Sequence, residues 1–256
     1  MRWIRTVALV LSASAAASAG GQTMLDQQQR LIDIHCLLID LPPVEAPGAY
    51  RAYQLSLGVE VVSIPPIDGT TGGKRQITLS DRTPLYPRPR LALGLPAPEG
   101  FRAFVGLSYI PPFTIADVST NLGGVEAGLA YAPDRLAVGL RGHVVYAFSK
   151  SPVTDPQTRD SLETFVYGGD IAAGYRFDAG WLSWTPYAGA GVTHLHGRFR
   201  VTSDGVVITS DDTSALLYAG IRLVVKGSLE AVGELDAYPG RLVHPNFRLA
   251  YTFDLH

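Results

Sequence analysis

Residues 135–149, Arg-Leu-Ala-Val-Gly-Leu-Arg-Gly-His-Val-Val-Tyr-Ala-Phe-Ser, decide how the rest of the chain is read. Leu136, Val138, Leu140, Val144, Tyr146 and Phe148 share one parity, while Arg135, Ala137, Gly139, Arg141 and His143 share the other. Successive side chains of a β-strand point to opposite faces, so this run has one aliphatic and aromatic face and one small or charged face. It also exceeds the roughly 9–11 residues that a tilted strand needs to cross a bilayer.

The same alternation recurs on both sides of this run. Before it lie Tyr53–Val61, Arg88–Pro96, Phe101–Ile110 and Asn121–Ala132, and after it Glu163–Phe177, Leu182–Val201, Thr213–Lys226, Ser228–Tyr238 and Pro245–Leu255. That predicts ten strands, and an even number closes an antiparallel barrel with both chain ends on one side. The connections sort by parity. Pro98-Glu99-Gly100, Pro133-Asp134, Asp178-Ala179-Gly180 and Gly227 read as tight turns. Ile64–Pro87, Pro111–Thr120, Lys150–Leu162 and Thr202–Asp212 read as longer polar loops, with the shorter Pro239–His244 among them. Alternating turns and loops build outer-membrane barrels, whose short turns face the periplasm. The fold class expected is therefore all-β: a closed antiparallel transmembrane β-barrel of about ten strands, preceded by a short N-terminal periplasmic helix.

Composition agrees. The 256 residues are 46% apolar but only 17% charged, with 27 glycines and 12 tyrosines, whereas a soluble domain carries about 25% charged residues. A net charge of −2 gives no basic footprint for nucleic acid. One cysteine excludes an intramolecular disulfide framework and any multi-thiolate metal site.

At the N-terminus, Arg2 and Arg5 precede an apolar stretch, Val7–Leu11, and a run of small residues ending Ala17-Ser18-Ala19. This reads as a signal peptide over residues 1–19; its apolar part is too short for a membrane helix. Residues 20–50 read as the periplasmic helix and linker: Leu31, Ile34, Leu38 and Leu41 share one side, and Pro42-Pro43 ends the helix. Its expected place is near the barrel mouth. Residues 51–256 form the barrel.

Over about Tyr53–Leu255 the chain resembles the bacterial outer-membrane β-barrel proteins of the small porin-like class. The likeness rests on the leader, the strand parity, the loop alternation and the final strand Phe247–Leu255, without a motif of any one subfamily. It departs from the class at its end: Asp254-Leu255-His256 stands where an aromatic residue is common. The resemblance implies residence in the cell outer membrane, with outer-membrane lipid and the barrel-assembly machinery as partners and a small solute or surface ligand as a further one.

An arginine on the lipid face at mid-bilayer costs about 2–4 kcal/mol, so charges are assigned to the lumen and apolar side chains to lipid. By parity the inward charges are Glu60, Arg90, Arg102, Glu126, Arg141, Asp170, Arg176, Arg198, Arg222, Glu230, Glu234, Asp236, Arg248 and Asp254. Seven are cations and seven are anions. Arg88, Arg135, Arg200 and Lys226 share that parity but sit at strand margins and are left out. Two aromatic girdles are expected, Phe101, Tyr131, Phe177, Trp181 and Phe253 near the turns, and Tyr109, Phe148, Phe165, Phe199 and Phe247 near the loops. Arg–carboxylate pairs in so narrow a tube predict a plugged or poorly conducting lumen, serving as a structural element, narrow channel or surface-exposed binding protein.

No catalytic residue, cofactor or metal is expected. His194 and His196 share a face, with His143 on another strand, but they read as polar lumen residues because no third ligand is near in sequence. Gly72-Gly73-Lys74 fails the phosphate-loop spacing, with Asp68 at the first glycine position and Arg75 where a hydroxyl residue belongs. Asp211, Asp212 and His244, placed in external loops, offer an alternative: a hydrolase with its site at the outer rim, as in the ten-stranded omptin proteases. A soluble exported barrel enclosing a lipophilic ligand, as in lipocalins, is the other alternative.

Overall fold

In the computed structural model, residues 24–63, 85–115, 118–151, 158–203 and 205–255 are described. The leader and Gly72-Gly73-Lys74 lie outside them. Helix α1 (Met24–Ile39) is followed by strands β1 (Gln54–Ser63), β2 (Leu85–Leu95), β3 (Phe101–Ile115), β4 (Val118–Tyr131), β5 (Leu136–Ser151) and β6 (Asp160–Tyr175). The chain continues with β7 (Phe177–Ala179), β8 (Leu182–Arg200), β9 (Val207–Val225), β10 (Leu229–Tyr238) and β11 (Leu242–Asp254). The described helix is not long and apolar enough to cross a membrane.

All pairings are antiparallel. β1 pairs with β11 from Gln54↔Asp254 to Val61↔Phe247, and β6 pairs with β8, so the sheet closes on itself. β6 and the short β7 both lie on β8 and form one interrupted barrel strand, which makes ten. At the short-turn end, Lys226 and Gly227 both take positive φ (50° and 78°), the pair of angles that matches a hairpin turn to the twist of its strands.

The strands run further than their sequence pattern suggested. Pro111–Thr120, read as a loop, is mostly strand: β3 continues past Pro111-Pro112 through a register shift between Ile110 and Phe113. β9 starts at Val207 and β11 at Leu242, so Asp211, Asp212 and His244 lie in strands rather than loops. Proline has a visible cost here. The β2–β3 ladder runs from Leu95↔Ala103 to Arg90↔Ser108 and stops where Pro89 and Pro87 follow, since proline has no N–H to donate.

Burial alternates strictly along most strands, as in β5, where Ala137, Arg141, His143, Val145 and Ala147 are enclosed. The outward face is apolar and open; Leu140 is 62% exposed and Leu249 66%. The expected helix is present, but it is no preface outside the mouth. It lies inside the barrel, against β8 and β9. His35–Ala46 are all buried because the barrel surrounds them.

Candidate functional site

The lumen divides into two zones. Toward the longer connections, Ile34, Leu37 and Ile39 of α1 join inward Ile110, Leu122, Val145, Leu162, Leu195 and Leu216 in one apolar core. Phe199, expected in the outer girdle, packs against this core instead. Gly197 of β8 admits the helix: a Cβ there would overlap the Ile32 side chain and sit 3.2 Å from Cys36 Sγ. Gly197→Val is therefore expected to push α1 off β8. Cys36, 0% exposed, should resist maleimide in the parent protein and label in this variant, because thiol reactivity needs access.

From α1 the chain descends through the barrel. Near the longer connections, Gln29 Nε2 donates to Thr209 O (3.3 Å) and Ser210 Oγ to Asp33 (2.6 Å). Near the short turns, Arg102 donates to Gly48 O (2.7 Å) and Tyr53 N to Gly94 O (2.9 Å). Residues 40–50 thus cross the lumen before β1 begins.

Around this segment stands the charged zone. Arg88 Nη2 meets Glu60 Oε1 at 2.6 Å, and Arg90 bridges Glu60 (3.4 Å) to Glu126 (2.5 Å). Arg141 joins Glu126 to Asp170, both at 2.9 Å, and the Tyr218 hydroxyl donates to Asp170 at 2.6 Å. On the other wall, Arg222 and Arg248 share Glu230 at 2.5 and 2.6 Å. Arginine's planar fork holds two acceptors at once, so Arg88, Arg90 and Arg141 link Glu60, Glu126 and Asp170 from β1 to β6, and Arg222 and Arg248 converge on Glu230 from β9 and β11.

These cations also grip the plug. Arg88 Nη1 donates to the carbonyls of Ile39 (3.2 Å) and Asp40 (2.9 Å), Arg90 to Pro42 O (3.1 Å), Arg141 to Leu41 O (2.9 Å) and Arg248 to Val44 O (3.2 Å). The last turn of α1 contains no basic residue, so Arg88 supplies from β2 the cation that a helix C-terminus favours. Val44 holds φ at 41°, a strained angle for a β-branched residue. Glu234 accepts its N–H at 2.9 Å, while Arg248 takes its carbonyl. Asp40 receives Thr193 Oγ1 (3.0 Å) and the Tyr238 hydroxyl (3.1 Å), with His143 Nε2 at 2.8 Å.

Of the fourteen inward charges read from the sequence, most meet here. Glu60, Arg90, Glu126, Arg141, Asp170, Glu230, Glu234, Asp236 and Arg248 are buried, and Arg102 and Arg222 partly so. Asp236 accepts from Asn246 at 2.7 Å. Three do not join the network. Arg176 sits in the β6–β7 break with Asp178 at 3.3 Å, and exposed Asp254 accepts from Gln54, both at the short-turn rim. Arg198 faces outward, since Thr193, Leu195 and Gly197 take the inward parity of β8.

The same parity turns His194 and His196 outward, where both contact Asp211 (3.1 and 3.2 Å). No group of metal-holding side chains is present among the described residues. Asp212 pairs with Arg241 near the mouth, while His244 points inward, stacked on Tyr238. The three residues considered for hydrolysis thus face three different surroundings. Sequence reading missed Arg88, Asp40 and Glu45. For Arg88 a signal existed: in Pro87-Arg88-Pro89-Arg90 the prolines and arginines alternate, and both arginines take the inward parity.

This architecture has counterparts among solved structures. They are outer-membrane β-barrels. The β-domain of the Bordetella autotransporter BrkA aligns with 79% of this chain and 100% of its own, at 13% identity and a TM-score of 0.40. Ail, the attachment invasion locus protein of Yersinia pestis, aligns over 79% and 99%, at 12% identity and a TM-score of 0.32. The Pseudomonas putida toluene transporter TodX aligns over 88% and 71%, at 10% identity and a TM-score of 0.33. No protein-family model and no curated protein matches the chain.

Proposed function

We propose that this chain is an integral outer-membrane barrel that closes its own lumen with residues 24–50 and serves as a structural or surface-binding element, without catalysis. One observation carries the reading: inward arginines bind the carbonyls of the plug while their remaining N–H groups hold carboxylates of the wall. A solute would have to displace both. A cavity beside the plug, lined by Glu45, Arg102 and Arg141 among others, measures about 30 Å³, room for about two or three waters and no larger solute. Outer-membrane lipid faces the apolar surface in this reading, the barrel-assembly machinery inserts the chain, and the longer connections lie outside the cell. The first turns of α1, where Gln29 meets Thr209, then face that outer side.

Planar-bilayer recording tests closure: the intact protein is expected to give no conductance steps, and a steady open level would overturn the proposal. Residence in lipid has its own measurement. Leu140→Arg should weaken folding into vesicles by about 2–4 kcal/mol in a urea titration, whereas a soluble barrel would tolerate an exposed arginine with little change.

A further inference from the structure

On the outer wall at the longer-connection end, side chains form layers across β5, β6, β8 and β9. The register places Leu140, Ile171, Ala190 and Leu217 in one outward row. Two rows above it stand Val144, Tyr167, His194 and Thr213, then Tyr146, Phe165, His196 and Asp211. Higher still is Phe148, Glu163 and Arg198, and at the top Lys150, Ser161 and Arg200. The wall therefore passes from aliphatic to aromatic to cationic within a few rows.

Among the described residues, the outward charges at this end all lie on this flank; the matching positions elsewhere are uncharged, including Val61, Pro87, Tyr109, Asn121, Ala237 and Val243. The two carboxylates here are already engaged. Glu163 accepts the Tyr146 hydroxyl at 2.8 Å, and Asp211 accepts from both histidines. Lys150 and Arg200 are exposed, with Ser161 between them, and the Lys150 ammonium stands 5.4 Å from the Phe148 ring centre. Adjacent strands are about 4.8 Å apart, so the two cations flank a hydroxyl at a span that suits a phosphate and its ester oxygens.

We infer that Lys150, Ser161 and Arg200, with Arg198 one row below, bind the phosphate of an outer-leaflet lipid headgroup whose acyl chains lie along the aromatic rows beneath. This rests on the membrane reading proposed above. Aromatic rows mark the interface of a bilayer, which puts the cations at headgroup height, and charge-assisted contacts to phosphate are the strong ones.

The test uses the full chain in phosphatidylcholine nanodiscs doped with lipid A or with its dephosphorylated form, reading retained lipid by native mass spectrometry. The phosphorylated lipid should be retained preferentially, and Lys150→Gln with Arg200→Gln should lower its retention about tenfold, the equivalent of 1.4 kcal/mol. Heat-dependent gel mobility checks that the variants remain folded, and Arg198→Gln, one row away, should produce a smaller loss. Equal retention of both lipids, or an unaffected double variant, overturns the inference while leaving the barrel in its membrane. Displacement of lipid A by millimolar inorganic phosphate alone would assign the site to a free anion instead. Failure of the parent chain to enter nanodiscs would defeat the membrane reading itself, and this inference with it.

Discussion

Removing residues 24–50 is expected to turn a silent barrel into a conducting one. The wall does not depend on this segment for its ladders: β1 begins at Gln54 and pairs with β2 and β11 throughout. What is lost lies inside, namely the apolar contacts of α1 and the acceptors that Arg88, Arg90, Arg141 and Arg248 find on the plug backbone. Of their carboxylate partners only Glu45 leaves with the plug, and Glu60, Glu126, Asp170 and Glu230 remain on the wall, so the emptied lumen keeps paired charges and fills with water. In planar bilayers the shortened protein should show discrete steps where the intact protein shows none. A full-length variant guards against failure of the deletion to fold. Ile34→Asp with Leu37→Asp puts two carboxylates into the apolar zone, where an unpaired charge is strongly disfavoured, so α1 should leave and brief openings should follow. Silence from both folded variants would mean that the wall closes the pore unaided.

The barrel was legible in the sequence because lipid-facing and lumen-facing side chains differ so sharply in polarity that parity alone separates them. Strands such as β5 and β10 show the pattern with few exceptions. The reading failed where the lumen itself is apolar. Around α1, Leu162, Val166, Leu195 and Ile208 face inward, so hydrophobicity no longer tells inside from outside, and Arg198 and Phe199 take the faces opposite to those their polarity predicts. Strand ends failed for a related reason. Arg88 and Asp254 share the inward parity, but only Arg88 has a plug above it to fill the mouth and exclude water. The helix itself was readable from its spacing; its location was not, because an amphipathic helix packs equally well on any apolar surface and the one inside the barrel exists only once the strands have closed.

Arg88→Ala should cost about 3–5 kcal/mol of stability, the range for breaking a buried ion pair by removing one partner. Arg88 and Glu60 are both fully buried, and Arg88 also covers the carbonyls that end α1. With Arg88 gone, Glu60 keeps, among the described residues, the cation of Arg90 at 3.4 Å, whose shorter bond goes to Glu126. The double variant Arg88→Met with Glu60→Leu should recover much of the loss, since replacing a buried pair by apolar groups is often neutral or stabilising. Arg90 retains Glu126 in that background, so no charge is stranded; the helix-end carbonyls still lack a donor, and recovery should be incomplete by about 1–3 kcal/mol for that reason. The exposed pair at the short-turn rim sets the scale: Arg176→Ala should change stability by no more than about 1 kcal/mol. Urea unfolding in lipid vesicles measures all of these. If Arg88→Ala and Arg176→Ala proved equally mild, water would have to reach Glu60, and the lumen would be wet where the packing around the plug makes it dry.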